Sequence, residues 1–247
     1  MSKIYEALEH AQKELKGLEK PILPSSHPPI PSSSHDLLGL EMEEEMIRLY
    51  QNIESLLSGS KKAVIQFIGS REGEGTSTVI REFAKVAALK LGKLVLLLDA
   101  DRHKLSQHLY FNIQPIYNLE EVLKSNDPID IALYQIGETK LFVSPISSST
   151  TSTPKIFDTQ KIDIFLEKLR KRFDWILIDS PPATTSSDGL AFSNRVDGTV
   201  LVLEAENTRW PVVESVKEKI IRSGGKILGI VFNKRRYYIP EFVYKRL

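Results

Sequence analysis

Residues 63–90 read AVIQFIGSREGEGTSTVIREFAKVAALK, and this stretch decides the fold. It opens with an apolar run at 63–69 that is typical of a buried strand, passes through a turn with two glycines, and continues into a helical pattern from residue 78. A strand that leads through such a turn into a helix is the setting in which backbone amides bind phosphate groups. The segment therefore predicts an α/β fold with an anion-binding turn at the edge of its sheet.

Strand-like and helix-like segments alternate on the C-terminal side of this stretch. Apolar runs recur at 93–99, 174–180, 198–204 and 226–232, and helical patterns at 158–172 and 210–223. Continuous apolar runs suit strands that are covered on both faces. The alternation predicts a doubly wound, mostly parallel sheet flanked by helices.

The chain divides into four predicted parts. Residues 1–20 form an amphipathic helix, 21–39 a linker rich in proline and serine, 40–236 the α/β domain, and 237–247 a tail that contains tyrosines. Prolines lack the backbone donor and fix the backbone angle, so the linker is expected to be extended or flexible. The mixed charges of the first helix favour docking on a protein over an anionic bilayer.

Composition and charge exclude several classes of function. The 247 residues carry 33 basic and 32 acidic side chains, and this balance predicts no nucleic-acid partner. The absence of cysteine excludes a disulfide framework, a thiolate zinc site and a cysteine nucleophile. Because no stretch approaches the roughly 18 apolar residues of a membrane span, we expect a cytoplasmic protein without direct membrane insertion.

The turn after the first strand matches a phosphate-binding loop in part. Gly73 and Gly75 allow backbone N–H groups to turn inward, and the hydroxyl of Ser77 is placed to bind Mg²⁺. In the motif G-x-x-x-x-G-K-[ST], the first glycine falls on Ser70 and the lysine on Thr76. That lysine compensates charge on the β- and γ-phosphates, whereas threonine offers only a hydroxyl. Nucleotide binding should weaken, and phosphoryl transfer should weaken further.

Three aspartates follow two of the predicted strands. Asp99 ends the run 93–99 and Asp101 follows it by two residues, whereas Asp179 is the second-last residue of the run 174–180. The carboxyl ends of parallel strands are where α/β proteins bind ligands. Asp99 and Asp101 could hold Mg²⁺ and activate a hydroxyl, and Asp179 could reach Mg²⁺ through water.

These motifs, in this order, resemble a known family. The glycine loop, LLLDAD at 96–101 and ILIDSPP at 176–182 resemble the Walker A, A′ and B motifs of bacterial tyrosine kinases (BY-kinases), in the MinD/ParA-like branch of P-loop proteins. The resemblance covers nearly the whole chain. It implies ATP·Mg²⁺ binding, autophosphorylation on a C-terminal tyrosine cluster, self-association, and activation by a polysaccharide co-polymerase, a membrane-embedded chain-length determinant. Such a partner would recruit the chain to the inner face of the membrane.

The resemblance also assigns roles to residues. It implies a nucleotide site that comprises Gly73, Glu74, Gly75, Thr76, Ser77, Thr78 and Asn233, catalytic carboxylates at Asp99, Asp101 and Asp179, and metal contacts from Ser77, Asp99 and Asp179. Arg71 stands where MinD/ParA relatives carry a signature lysine, so its guanidinium is a further candidate for phosphate contact, in its own subunit or across an interface. The candidate phosphoacceptors are Tyr237, Tyr238 and Tyr244. Alternatively, these tyrosines belong to an aromatic, basic tail that packs against the domain or a partner.

Several functions remain open at this point. Within the family, the chain is either a working ATP-dependent tyrosine autokinase or a weakened relative that regulates capsule or exopolysaccharide production by binding, and Thr76 favours the second. A MinD/ParA-like positioning ATPase and a nucleotide-free scaffold are the alternatives.

Overall fold

A computed structural model describes residues 39–40, 42–57, 61–125, 127–146, 160–185 and 187–235. The predicted N-terminal helix, nearly all of the linker and the three candidate phosphoacceptor tyrosines lie outside these residues. Within them, the described strands form one seven-stranded sheet. None of the helices in the described ranges combines the length and apolar composition needed to cross a bilayer.

The sheet confirms the predicted fold class. Its strands are β1 Ala63–Gly69, β2 Val95–Asp99, β3 Tyr134–Gln135, β4 Leu141–Pro145, β5 Trp175–Ser180, β6 Gly198–Glu204 and β7 Ile227–Asn233. They lie in the order β3-β4-β2-β5-β1-β6-β7, and all neighbours are parallel except β3 and β4. β1, β2 and β5 are buried along their whole length, which explains their mostly apolar sequences.

Helices cover both faces of the sheet. They are α1 Glu43–Leu56, α2 Thr76–Leu89, α3 Gln107–Tyr110, α4 Leu119–Ser125, α5 Gln160–Arg172 and α6 Trp210–Arg222. The helices α1 and α2 pack on one face, with the ring of Tyr50 stacked on Trp175 at 4.6 Å. The helices α4, α5 and α6 pack on the other face. The sheet is therefore doubly wound, as predicted.

Candidate functional site

Parallel pairing brings the predicted site residues to one edge of the sheet. The strands β1, β5 and β2 are neighbours, with Asp179 opposite Phe67 on one side and opposite Asp99 on the other. β1 continues into the glycine loop at the same edge. The loop and the two aspartates, far apart in sequence, therefore lie side by side.

The glycine loop presents a row of backbone donors. Gly73 and Gly75 have φ angles of 87° and 86°, the left-handed region that glycine adopts without steric cost. The N–H groups of residues 73–77 have no acceptor among the described residues, whereas those of Thr78 and Val79 bond to the carbonyl of Gly75. A Cβ built at Gly73 would meet no atom within 4 Å. Unpaired amides beside a helix N-terminus and open space form a concavity suited to an anion.

Glu74 shapes the loop from the inside. Its buried carboxylate accepts hydrogen bonds from the backbone N–H of Ser70 at 2.5 Å and of Arg71 at 2.9 Å, and from the hydroxyl of Thr208 at 2.6 Å. These bonds satisfy the loop's first two amides and leave the later ones available. Glu74 therefore acts as an internal brace, a contribution that the sequence alone did not predict.

The end of β7 is attached to the same loop. The side-chain amide of Asn233 donates to the carbonyl of Glu74 at 2.9 Å. Next to it, the ammonium of Lys234 donates to the carbonyl of Gly73 at 2.6 Å and lies 3.7 Å from the carboxylate of Glu204. Asn233 thus lies beside the loop, and Lys234 is an additional loop contact that sequence reasoning missed.

Substituting Gly75 tests how tightly the loop is held. A Cβ at this position would lie 2.2 Å from the amide nitrogen of Asn233, and the φ of 86° would be strained for any other residue. We expect Gly75→Ala to lower the free energy of unfolding by about 1–3 kcal/mol, measured by thermal unfolding. Gly73→Ala is the matched control, because it has the same backbone strain without a clash. Equal losses in the two variants would contradict a role for the Asn233 contact.

The side chains of Arg71 and Thr76, on either side of the two glycines, contact the protein rather than the open space of the loop. A Cβ built on Gly69 would lie 2.7 Å from the hydroxyl of Thr76, so Thr76 packs against the end of β1. The guanidinium of Arg71 donates to the carbonyl of Asn207 at 3.2 Å. In this arrangement neither side chain places a positive charge beside the free amides. The phosphate-contacting role of Arg71 stays a prediction.

Asp99 and Asp179 are buried carboxylates, each about 1% exposed. Burial and the neighbouring charge of Asp179 raise the pKa of Asp99, although backbone donors at Gln107 and Ser106 offset part of this effect. Burial also raises the pKa of Asp179, and hydrogen bonds from the side chains of Gln107 and Ser77 partly oppose it. A nearby cation would stabilise the ionised forms of these two carboxylates, which are buried next to each other.

The residues present fit a divalent cation bound together with phosphates. The Oδ1 atoms of Asp99 and Asp179 are both buried and have no partner among the described residues. Within the same residues there is no group of three or more His, Cys, Asp or Glu side chains that could hold a metal unaided. Mg²⁺ often takes one or two carboxylates and completes its shell with waters and substrate phosphates. The two free carboxylate oxygens agree with this mode of Mg²⁺ binding.

Asp101 lies at the outer side of the site. Its carboxylate accepts hydrogen bonds from the backbone N–H groups of His103 at 3.1 Å and Lys104 at 3.2 Å. The ammonium of Lys104 pairs with Glu72 at 3.1 Å, which joins this turn to the glycine loop. These residues border a cavity of about 320 Å³ whose lining comprises Glu72, Asp101, His103, Lys104, Pro181, Pro182 and Thr185. Asp101 thus faces a space beside the loop.

The chain is similar in sequence to known bacterial tyrosine kinases. No family model matches the chain. The tyrosine-protein kinase CpsD of Streptococcus agalactiae is 28% identical over 193 residues, which cover 78% of this chain and 82% of that protein. Tyrosine-protein kinase YwqD of Bacillus subtilis is 25% identical over 193 residues, covering 78% of this chain and 81% of that protein. The resemblance to bacterial tyrosine kinases is confirmed.

The fold of the chain also agrees with solved structures. The chimerical protein CapA2B2 matches it with a TM-score of 0.74 at 23% identity, over 92% of this chain and 99% of that chain. MinD from Pyrococcus horikoshii, complexed with Mg-ADP, matches with a TM-score of 0.60 at 20% identity, over 75% of this chain and 76% of that chain. Both agree with the doubly wound, mostly parallel α/β fold of the chain.

Proposed function

We propose that the chain is a nucleotide-binding, tyrosine-autokinase-like protein that regulates capsule or exopolysaccharide biosynthesis and export. The observation that carries this proposal is the row of free amides at residues 73–77 beside the buried, partly unsatisfied carboxylates of Asp99 and Asp179. Backbone donors of this kind suit a polyphosphate, and the carboxylates suit its metal ion. ATP with Mg²⁺ is the ligand that meets both requirements.

Each part of the site would have its own task. The amides of the loop and the N-terminus of α2 bind the β-phosphate, and Asn233 contacts the base. Ser77, Asp99 and Asp179 hold Mg²⁺ directly or through water; the ion supplies positive charge to the phosphates. Asp101 borders the cavity of about 320 Å³, where an acceptor hydroxyl could approach. The candidate acceptors are Tyr237, Tyr238 and Tyr244, in this or a neighbouring subunit.

Thr76 is the reason to propose weakened transfer. Phosphoryl transfer depends on positioning and on compensating charge, and a hydroxyl supplies no charge. Three cations in or next to the loop are bonded to other protein groups: Arg71 to the carbonyl of Asn207, Lys104 to the carboxylate of Glu72, and Lys234 to the carbonyl of Gly73. We therefore expect nucleotide binding with slow autophosphorylation, regulated by self-association and by a membrane-embedded chain-length determinant, at the inner face of the membrane. No nucleic-acid partner is proposed.

A nucleotide titration tests the proposal. Isothermal titration of the full chain with ATP and ADP, with Mg²⁺ and with EDTA, should give saturable binding that Mg²⁺ strengthens by about tenfold or more, because the ion shields phosphate charge from the carboxylates. Incubation with ATP·Mg²⁺ and phosphotyrosine blotting should then give weak labelling that Asp179→Asn abolishes. A chain that binds neither nucleotide would be a scaffold. Strong labelling would show instead that Thr76 is compatible with efficient transfer.

A further inference from the structure

The short helix α3 places one residue between the two buried carboxylates. Gln107 is fully buried, and its backbone N–H donates to Oδ2 of Asp99 at 2.9 Å. Its side-chain amide donates to Oδ2 of Asp179 at 2.7 Å and to the backbone carbonyl of Ser77 at 3.0 Å. One residue therefore contacts both acidic groups and the first turn of α2.

The contacts of Gln107 leave a specific pair of oxygens open. In both carboxylates Oδ2 is the atom bound by residue 107, and Oδ1 is the atom with no partner among the described residues. A carboxylate held at one oxygen cannot rotate freely, so the direction of the other oxygen is fixed. The free oxygens belong to adjacent positions of β2 and β5, beside the row of loop amides.

We propose that Gln107 is a positioning residue for the divalent cation of the nucleotide complex. By holding Oδ2 of Asp179 and linking it to Ser77, it directs Oδ1 towards the hydrated ion and fixes the carboxylate relative to the hydroxyl of Ser77. This inference rests on the proposed nucleotide-binding function. It adds a side chain that is neither acidic nor part of the three motifs, from an element that the sequence did not predict.

Gln107→Met is the variant that isolates this role. Methionine has a similar length and volume, so the buried space stays filled, but it cannot donate to Asp179. The backbone N–H remains, so Asp99 keeps its partner. The variant therefore removes the hold on one carboxylate only. Gln107→Leu serves as a second variant if Gln107→Met yields no folded protein.

The readout is the apparent Mg²⁺ affinity of the nucleotide complex. Binding of a fluorescent ADP analogue to the full chain is followed while Mg²⁺ is titrated, and the Mg²⁺ concentration that gives half of the enhancement is recorded. We expect Gln107→Met to raise this concentration about 10–100-fold, with little change in the affinity measured in EDTA. A merely structural residue would lower both affinities together.

Gln66→Met is the matched control. Gln66 is equally buried on β1, but its amide donates to Ser180 Oγ at 2.9 Å and Gly189 O at 2.5 Å, not to a site carboxylate. An unchanged Mg²⁺ requirement in Gln107→Met, or an equal shift in Gln66→Met, overturns the inference while the proposed function stands. Absence of analogue binding by the wild-type chain overturns both.

Discussion

Replacing Thr76 by lysine should increase the affinity of the chain for ATP by about 10–100-fold and accelerate autophosphorylation at least as much. A hydrogen bond that involves a charged group contributes about 1.5–3 kcal/mol, and this range corresponds to the expected gain. The lysine would extend from the first residue of α2, next to the free amides of residues 73–77. It would place a cation on the β- and γ-phosphates, where residue 76 now offers only an uncharged hydroxyl.

The control for this prediction is Thr76→Met, which lengthens the side chain without adding charge. Affinity measured by isothermal titration with ATP·Mg²⁺, and labelling measured by phosphotyrosine blotting, should rise for lysine and not for methionine. If lysine brings no gain, another cation already serves the phosphates. Arg71 is the first candidate, and Arg71→Ala in the wild-type background should then reduce ATP affinity, although its guanidinium now bonds to Asn207.

The framework of the site was predictable because it depends on local patterns. β1 was predicted at the bounds it has, since an apolar run buried on both faces ends at a glycine turn. Asp99 and Asp179 followed from strand ends, since parallel strands present their carboxyl ends at one edge. By contrast, β3 has only two residues and pairs antiparallel, so it carries no periodic signal.

The residues that were missed act over long separations in sequence. Gln107 lies in a four-residue helix, and its contact with Asp179 joins positions 72 residues apart. The contact between Lys234 and Gly73 spans 161 residues. The internal brace by Glu74 depends partly on Thr208, 134 residues away. No local sequence pattern predicts such contacts, because they form only when the folded sheet brings separate loops to one edge.

Asp179→Asn should make the nucleotide-free protein more stable at neutral pH and remove most of the Mg²⁺ dependence of nucleotide binding. Burial raises the pKa of Asp179 in the folded state, so the ionised form is disfavoured there relative to the unfolded chain. Above pH of about 4 the unfolded chain loses this proton first. The contribution of Asp179 to the free energy of unfolding should therefore be most favourable in acid and become less favourable as the pH rises towards neutrality. Asparagine does not ionise, so the Asp179→Asn variant lacks this pH-dependent decrease in stability.

The expected gain in stability is about 1–3 kcal/mol at pH 7.5 and close to zero at pH 4, measured by thermal unfolding across this range in EDTA. Asp99→Asn should act in the same direction, since burial and Asp179 raise the pKa of Asp99 too. The control is Asp197→Asn, because Asp197 accepts from the backbone N–H of Val64 and pairs with Arg170 at 2.7 Å. Its neutralisation removes a stabilising partner and should lower stability at pH 7.5. A loss of stability in Asp179→Asn as well would mean that its charge is already compensated without a metal, and the site would have no electrostatic reason to bind one.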